Sequence, residues 1–120
     1  MYFEIDNYNA LKEALNSLCT GLTQQDVPKE TVYDSKLVAD ELLSNALRHG
    51  GGKAFFSVQV EADVISLSVR SLDSFRPPEK SILSGRESEH GRGLDIVDAL
   101  VETRRYSEEG GTSVVSRIRR

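Results

Sequence analysis

Glu41, Asn45 and Arg48 stand four and three residues apart in the stretch ELLSNALRH, which runs straight into GGG at 50–52. At about 100° per residue of helix they share one narrow sector, while Val38, Ala39, Leu42, Leu43 and Ala46 fill the adjoining arc. One helix thus carries a core face beside a face with a carboxylate, an amide and a cation, the group types that take protons, hold ligands and bind anions. The same pattern suits a solvated face closed by a glycine C-cap. A second place is SEHGRGLDIV at 88–97, where Gly91 and Gly93 precede a helical pattern. Free N–H groups and the helix dipole favour an anion there, missing Cβ atoms let a phosphate approach, and a plain flexible turn fits equally well. A third is LSVRSLDSFRPP at 67–78, where Asp73 ends a strand pattern and could accept a hydrogen bond from an exocyclic amine such as that of adenine. Asp is also common wherever strands end.

These groups need elements to hold them. MYFEI reads as a short strand, Asp6 or Asn7 as a helix cap, and Leu11, Ala14, Leu15, Leu18 and Leu22 as the apolar stripe of a first helix. Pro28 sits where a first-turn proline is tolerated, and the spacing predicts a second helix from about Thr31 to Arg48, stopped by glycine. KAFFSVQVEA and VISLSVRS alternate as two strands joined by a tight turn at Ala62 and Asp63. From Leu72 to His90 the chain is polar, with Pro77, Pro78 and Gly85, and reads as a long loop of the kind that forms lids. LDIVDALVE predicts a third helix, with Leu94, Ile96, Val97, Leu100 and Val101 in one arc. TRRYS and TSVVSRIRR, joined by EEGG, close the chain as a second hairpin. The expected architecture is α+β: a two-layer sandwich of one mixed, mostly antiparallel sheet with three helices on one face.

The totals set bounds on the remaining classes. A chain of 120 residues fits a single domain over 1–120, and 38% hydrophobic with 28% charged residues is the balance of a globular protein. No apolar run reaches the roughly 18 residues of a membrane span, and the N-terminus lacks a basic segment followed by an apolar one. A cytoplasmic protein without a membrane partner is expected. Lone Cys19 lies in the apolar pattern of the first helix and reads as a buried structural thiol. A net charge of −4 argues against direct nucleic-acid binding.

Taken together, ExxxNAxxHG at the end of the second helix, a strand ending near an Asp, and GRGLxIV at the head of the third helix resemble the three boxes of the GHKL ATP-binding fold. ELLSNALRHG and GRGLDIVDAL are most similar to stand-alone histidine-kinase-like ATPases of the anti-sigma-factor serine kinase group. The resemblance implies ATP and Mg²⁺ as cofactors. It implies Glu41 as the group that polarises an attacking hydroxyl, Asn45 as the Mg²⁺ ligand, and Arg48 or His49 near the phosphates. Physically, an asparagine oxygen one turn from a carboxylate offers ligand and base on one face, and Mg²⁺ prefers a few oxygen ligands plus phosphate and water. Gly91, Arg92 and Gly93 would cradle phosphate, and Thr112 would lie beside adenine. His49 is expected to pack or cap. The resemblance further implies a sigma factor and a STAS-domain antagonist as partners and a serine/threonine kinase activity on that antagonist, with assembly as a homodimer left open. A contact-only module without catalysis is the other expectation, because the family's DxGxG box is here Asp73, Ser74, Phe75, Arg76 and Pro77, with no glycine. The alternation even allows Ser71 to take the adenine position in place of Asp73.

Overall fold

The computed structural model describes residues 1–73, 99–101, 103–107 and 113–119, with side chains for 1–73, 99–101, 118 and 119. In chain order the elements are β1 (Tyr2–Ile5), α1 (Tyr8–Gln24), α2 (Lys29–His49), β2 (Ala54–Val60), β3 (Val64–Ser71), β4 (Thr103–Ser107) and β5 (Ser113–Arg119). The five strands form one sheet in the order β1-β2-β3-β5-β4. Every described pairing is antiparallel, so no parallel pair of the expected mixed sheet occurs among the described strands.

The helices lie on the sheet because their apolar stripes and the strands' alternation have a common target. α1 buries Leu11, Ala14, Leu15, Leu18 and Leu22, and α2 buries Val32, Val38, Ala39, Leu42, Leu43 and Ala46. β2 and β3 answer with Ala54, Phe56, Val58, Ile65, Leu67 and Val69, every one of them buried. Phe56 is fully buried, its ring stacking with Phe3 at 5.8 Å, and truncating such an aromatic typically costs about 3–5 kcal/mol. Leu100 and Val101, the described end of the expected third helix, pack against this core. The remainder of that helix and the segment 74–98 lie outside the described residues.

The helix ends follow local chemistry. Of the two candidate caps, Asn7 is the one that closes the helix. Its Oδ1 accepts from the Ala10 N–H at 2.7 Å, while its Nδ2 donates to Asp6 at 2.9 Å. α1 stops without a glycine. Asp26 takes the left-handed conformation at φ 60, and the Val27 N–H donates to the Leu22 carbonyl at 3.1 Å, with both side chains buried. α2 starts two residues earlier than the periodicity suggests, directly after Pro28, whose carbonyl accepts from Val32 at 3.0 Å. Between β2 and β3 the turn holds Glu61, Ala62 and Asp63, closed by the Glu61 N–H donating to the Val64 carbonyl at 2.8 Å. Cys19 is free and half-buried, packed against the rim of the core and not inside it.

Candidate functional site

The site is built where α2 ends and β3 ends. Asn45 keeps only 7% exposure, one of three buried polar residues among the described ones, together with Ser35 and Ser71. Its burial follows from its position at the margin of the apolar arc, beside Leu42, Leu43, Ala46 and Leu47. A buried amide needs partners, and Asn45 Oδ1 accepts from the Arg48 guanidinium at 3.0 Å. Glu41, one turn earlier, is half-buried and engaged in its own polar interaction. Arg48 and His49 are exposed in the last turn of α2, where cations complement the helix dipole. His49 therefore sits at the surface and not in the core.

The three glycines after the helix serve two different needs. Gly50 has φ −110, which any residue can adopt, so its requirement is space: a Cβ there would overlap the Ser71 side chain and lie 2.6 Å from the Ala46 carbonyl oxygen. Gly51 and Gly52 have φ +89 and +81, the left-handed region that penalises side chains. The turn is laced to the end of β3 by Leu72 N–H to Lys53 carbonyl at 3.0 Å and Asp73 N–H to Gly50 carbonyl at 2.8 Å.

Ser71 and Asp73 are thereby separated in kind. Ser71, at 1% exposure, continues the core-facing row of Ile65, Leu67 and Val69, and its hydroxyl donates to the Asp73 carbonyl at 2.6 Å. Asp73 is exposed, with its carboxylate over Gly51. Sequence patterning places both at a strand end. It misses the contact of Ser71 with Gly50, for which the only signal is the run of three glycines. Gly91, Arg92, Gly93 and Thr112 lie outside the described residues; Asn45 and Arg48 are in contact, Glu41 lies one turn before Asn45 on α2, and Ser71 and Asp73 meet the glycine turn that follows the helix.

The chain matches the family described as Histidine kinase-like ATPase domain over residues 6–118. It belongs to this family. ATP binding is therefore what the ATPase domain's fold implies, and α2, with its polar face, is the helix that carries ExxxNAxxHG. A chain in the crystal structure of the SiaB-SiaC complex from Pseudomonas aeruginosa superposes on the ATPase domain with a TM-score of 0.70 at 13% identity, covering 100% of this chain and 88% of that one. A likeness at that identity shows the fold, an open α+β sandwich. No curated protein sequence matches the chain. Among the described residues no helix is long and apolar enough to cross a membrane, and no three His, Cys, Asp or Glu side chains gather as a metal cage.

Proposed function

We propose that the domain binds ATP with Mg²⁺, sequesters a sigma factor, and is switched by a STAS-type antagonist that it phosphorylates on Ser or Thr. The observation that carries the reading is the polar face of α2: a nearly buried Asn45 oxygen one turn from half-buried Glu41, immediately before the glycine turn. These residues fit the metal. One hard oxygen without a carboxylate cage suits an ion whose other ligands are nucleotide phosphates and water, and when bound Mg²⁺ neutralises phosphate charge. Arg48 donates to that same oxygen, and with Asn45 holding a metal its guanidinium donors would be free to turn toward phosphate.

Glu41 then acts on the antagonist's hydroxyl. The hydroxyl oxygen forms a bond to the γ-phosphorus, the bond from that phosphorus to the ADP oxygen breaks, and the proton passes to the Glu41 carboxylate. Positioned bases of this kind contribute on the order of 10² to 10⁴ in rate. The likeness to a chain crystallised in a two-protein complex supports a protein partner, and self-association to a homodimer would present two such sites. The cytoplasm, where ATP and sigma factors meet, is the compartment this reading requires.

A second reading rests on Ser71. The strand end that would meet the base carries a buried hydroxyl already donating to Asp73, not a carboxylate, and Gly50 fills the space above it. That favours a module that acts by contact and transfers no phosphate. Transfer of labelled phosphate from ATP to a candidate antagonist, with wild type and Glu41→Gln side by side, separates the two. The kinase reading expects transfer by wild type and a loss of about a hundredfold or more in the variant. Equal, nonzero transfer by both removes Glu41 as base, and no transfer by either, with partner binding shown, selects the contact-only module.

A further inference from the structure

The sheet has two faces, and among the described residues the helices cover one. In antiparallel pairs, directly opposed residues share a face. On the side away from the helices, Phe55 stands opposite Glu4 and Arg70, and Ser68 stands opposite Ser57 and Val115. Tyr2, Glu4, Gln59 and Arg70 are exposed here, while Phe55, Ser57, Ser66 and Ser68 are half-buried.

The chemistry of this face departs from that of the whole molecule. The Phe55 ring carries the Arg70 guanidinium 5.0 Å from its centroid and the Lys53 ammonium at 5.5 Å. The acid beside them, Glu4, is already paired with Lys53 at 3.3 Å. The register continues the face through Arg117, opposite Ser66, and through Val115 to Arg105. Lys53 and Arg70 thus bring two cations to this face of a chain of net charge −4. Next to them the three serines make a shallow floor of short side chains with hydroxyl donors, which lets another backbone come close.

We propose that this face docks an acidic segment of a partner protein, with carboxylates on Arg70 and Lys53 and the chain laid over Ser57, Ser66 and Ser68. Charge complementarity selects the occupant. A second copy meeting it through a twofold axis would set Arg70 against the same cationic patch. A nucleic acid would need a broad basic field and successive stacking rings, whereas Phe55 is already flanked by two cations in an acidic protein. The face includes neither Glu41 nor Asn45, so it stands or falls apart from nucleotide binding.

The test is an amide chemical-shift titration of the isotope-labelled protein, without nucleotide, using an oligoglutamate peptide as probe. Saturable shifts should cluster on residues 55–57 and 66–70, and Arg70→Glu should weaken binding by about fivefold or more. Gln59→Glu adds an acid at an exposed position of the same face without removing a contact, and should weaken binding in the same direction even if Arg70→Glu fails to fold. Shifts confined to the helical side, or unchanged affinity in Gln59→Glu, would overturn the proposal. Equal or tighter binding of a single-stranded oligothymidylate at these amides would reassign the face to nucleic acid, and movement of the same amides with protein concentration alone would reassign it to a second copy.

Discussion

Asn45 is the residue on which the proposed nucleotide site turns. Its buried amide is served by Arg48, an exposed side chain that water can satisfy just as well, so the pair contributes little to stability. Asn45→Ala is therefore expected to change unfolding free energy by no more than about 1 kcal/mol while weakening Mg²⁺-dependent nucleotide binding. Thermal unfolding and a binding titration on the same sample check this, and a collapse in stability that accounts for the lost binding would return Asn45 to a structural role. Glu41 divides from Asn45 in kind: Glu41→Gln keeps shape and polarity, so nucleotide affinity should hold while phosphate transfer falls. At this scale the sequence is legible, because helical spacing alone sets Glu41, Asn45 and Arg48 in one sector. The split between Ser71 and Asp73 is not, since it depends on how closely Gly50 approaches β3, a tertiary distance without a local signature.

The elements around the site are fixed by their ends. Gly50 and Gly52 look equivalent in sequence, yet they predict different costs. Gly50→Ala meets Ser71 and the Ala46 carbonyl, an overpacking penalty of about 1–3 kcal/mol, part of which Ser71→Gly should relieve in a double-mutant cycle. Gly52→Ala meets nothing within 4 Å and carries only the cost of a left-handed backbone, about 1–2 kcal/mol, with no coupling to position 71. Equal coupling for both would disprove the close approach of α2 to β3. At the other end of the layer, Asp26 holds a left-handed position that glycine fills more easily. Asp26→Gly is expected to raise stability by up to about 1 kcal/mol in denaturant unfolding. Propensity and period locate both helices and the β2–β3 hairpin because each is decided by neighbours in sequence. They place the first turn of α2 late, since the stretch from Lys29 to Thr31 has no apolar residue to show the period.

At the scale of the whole molecule, strand order is beyond the reach of the pattern. Alternation specifies which face a residue takes, but the placement of β5 between β3 and β4 is set by long-range pairing, Val69 with Val114 and Ile65 with Ile118. That placement makes one continuous sheet whose helix-covered face holds the core, and the end of β3 lies against the turn after α2. The central claim is that this junction holds nucleotide through the polar face of α2. Calorimetric titration with ATP and Mg²⁺, run on wild type and on folded Asn45→Ala, tests it most directly. Saturable heat from wild type that falls away in Asn45→Ala is the predicted result; no binding by the folded wild type, or the same affinity in both proteins, would contradict it.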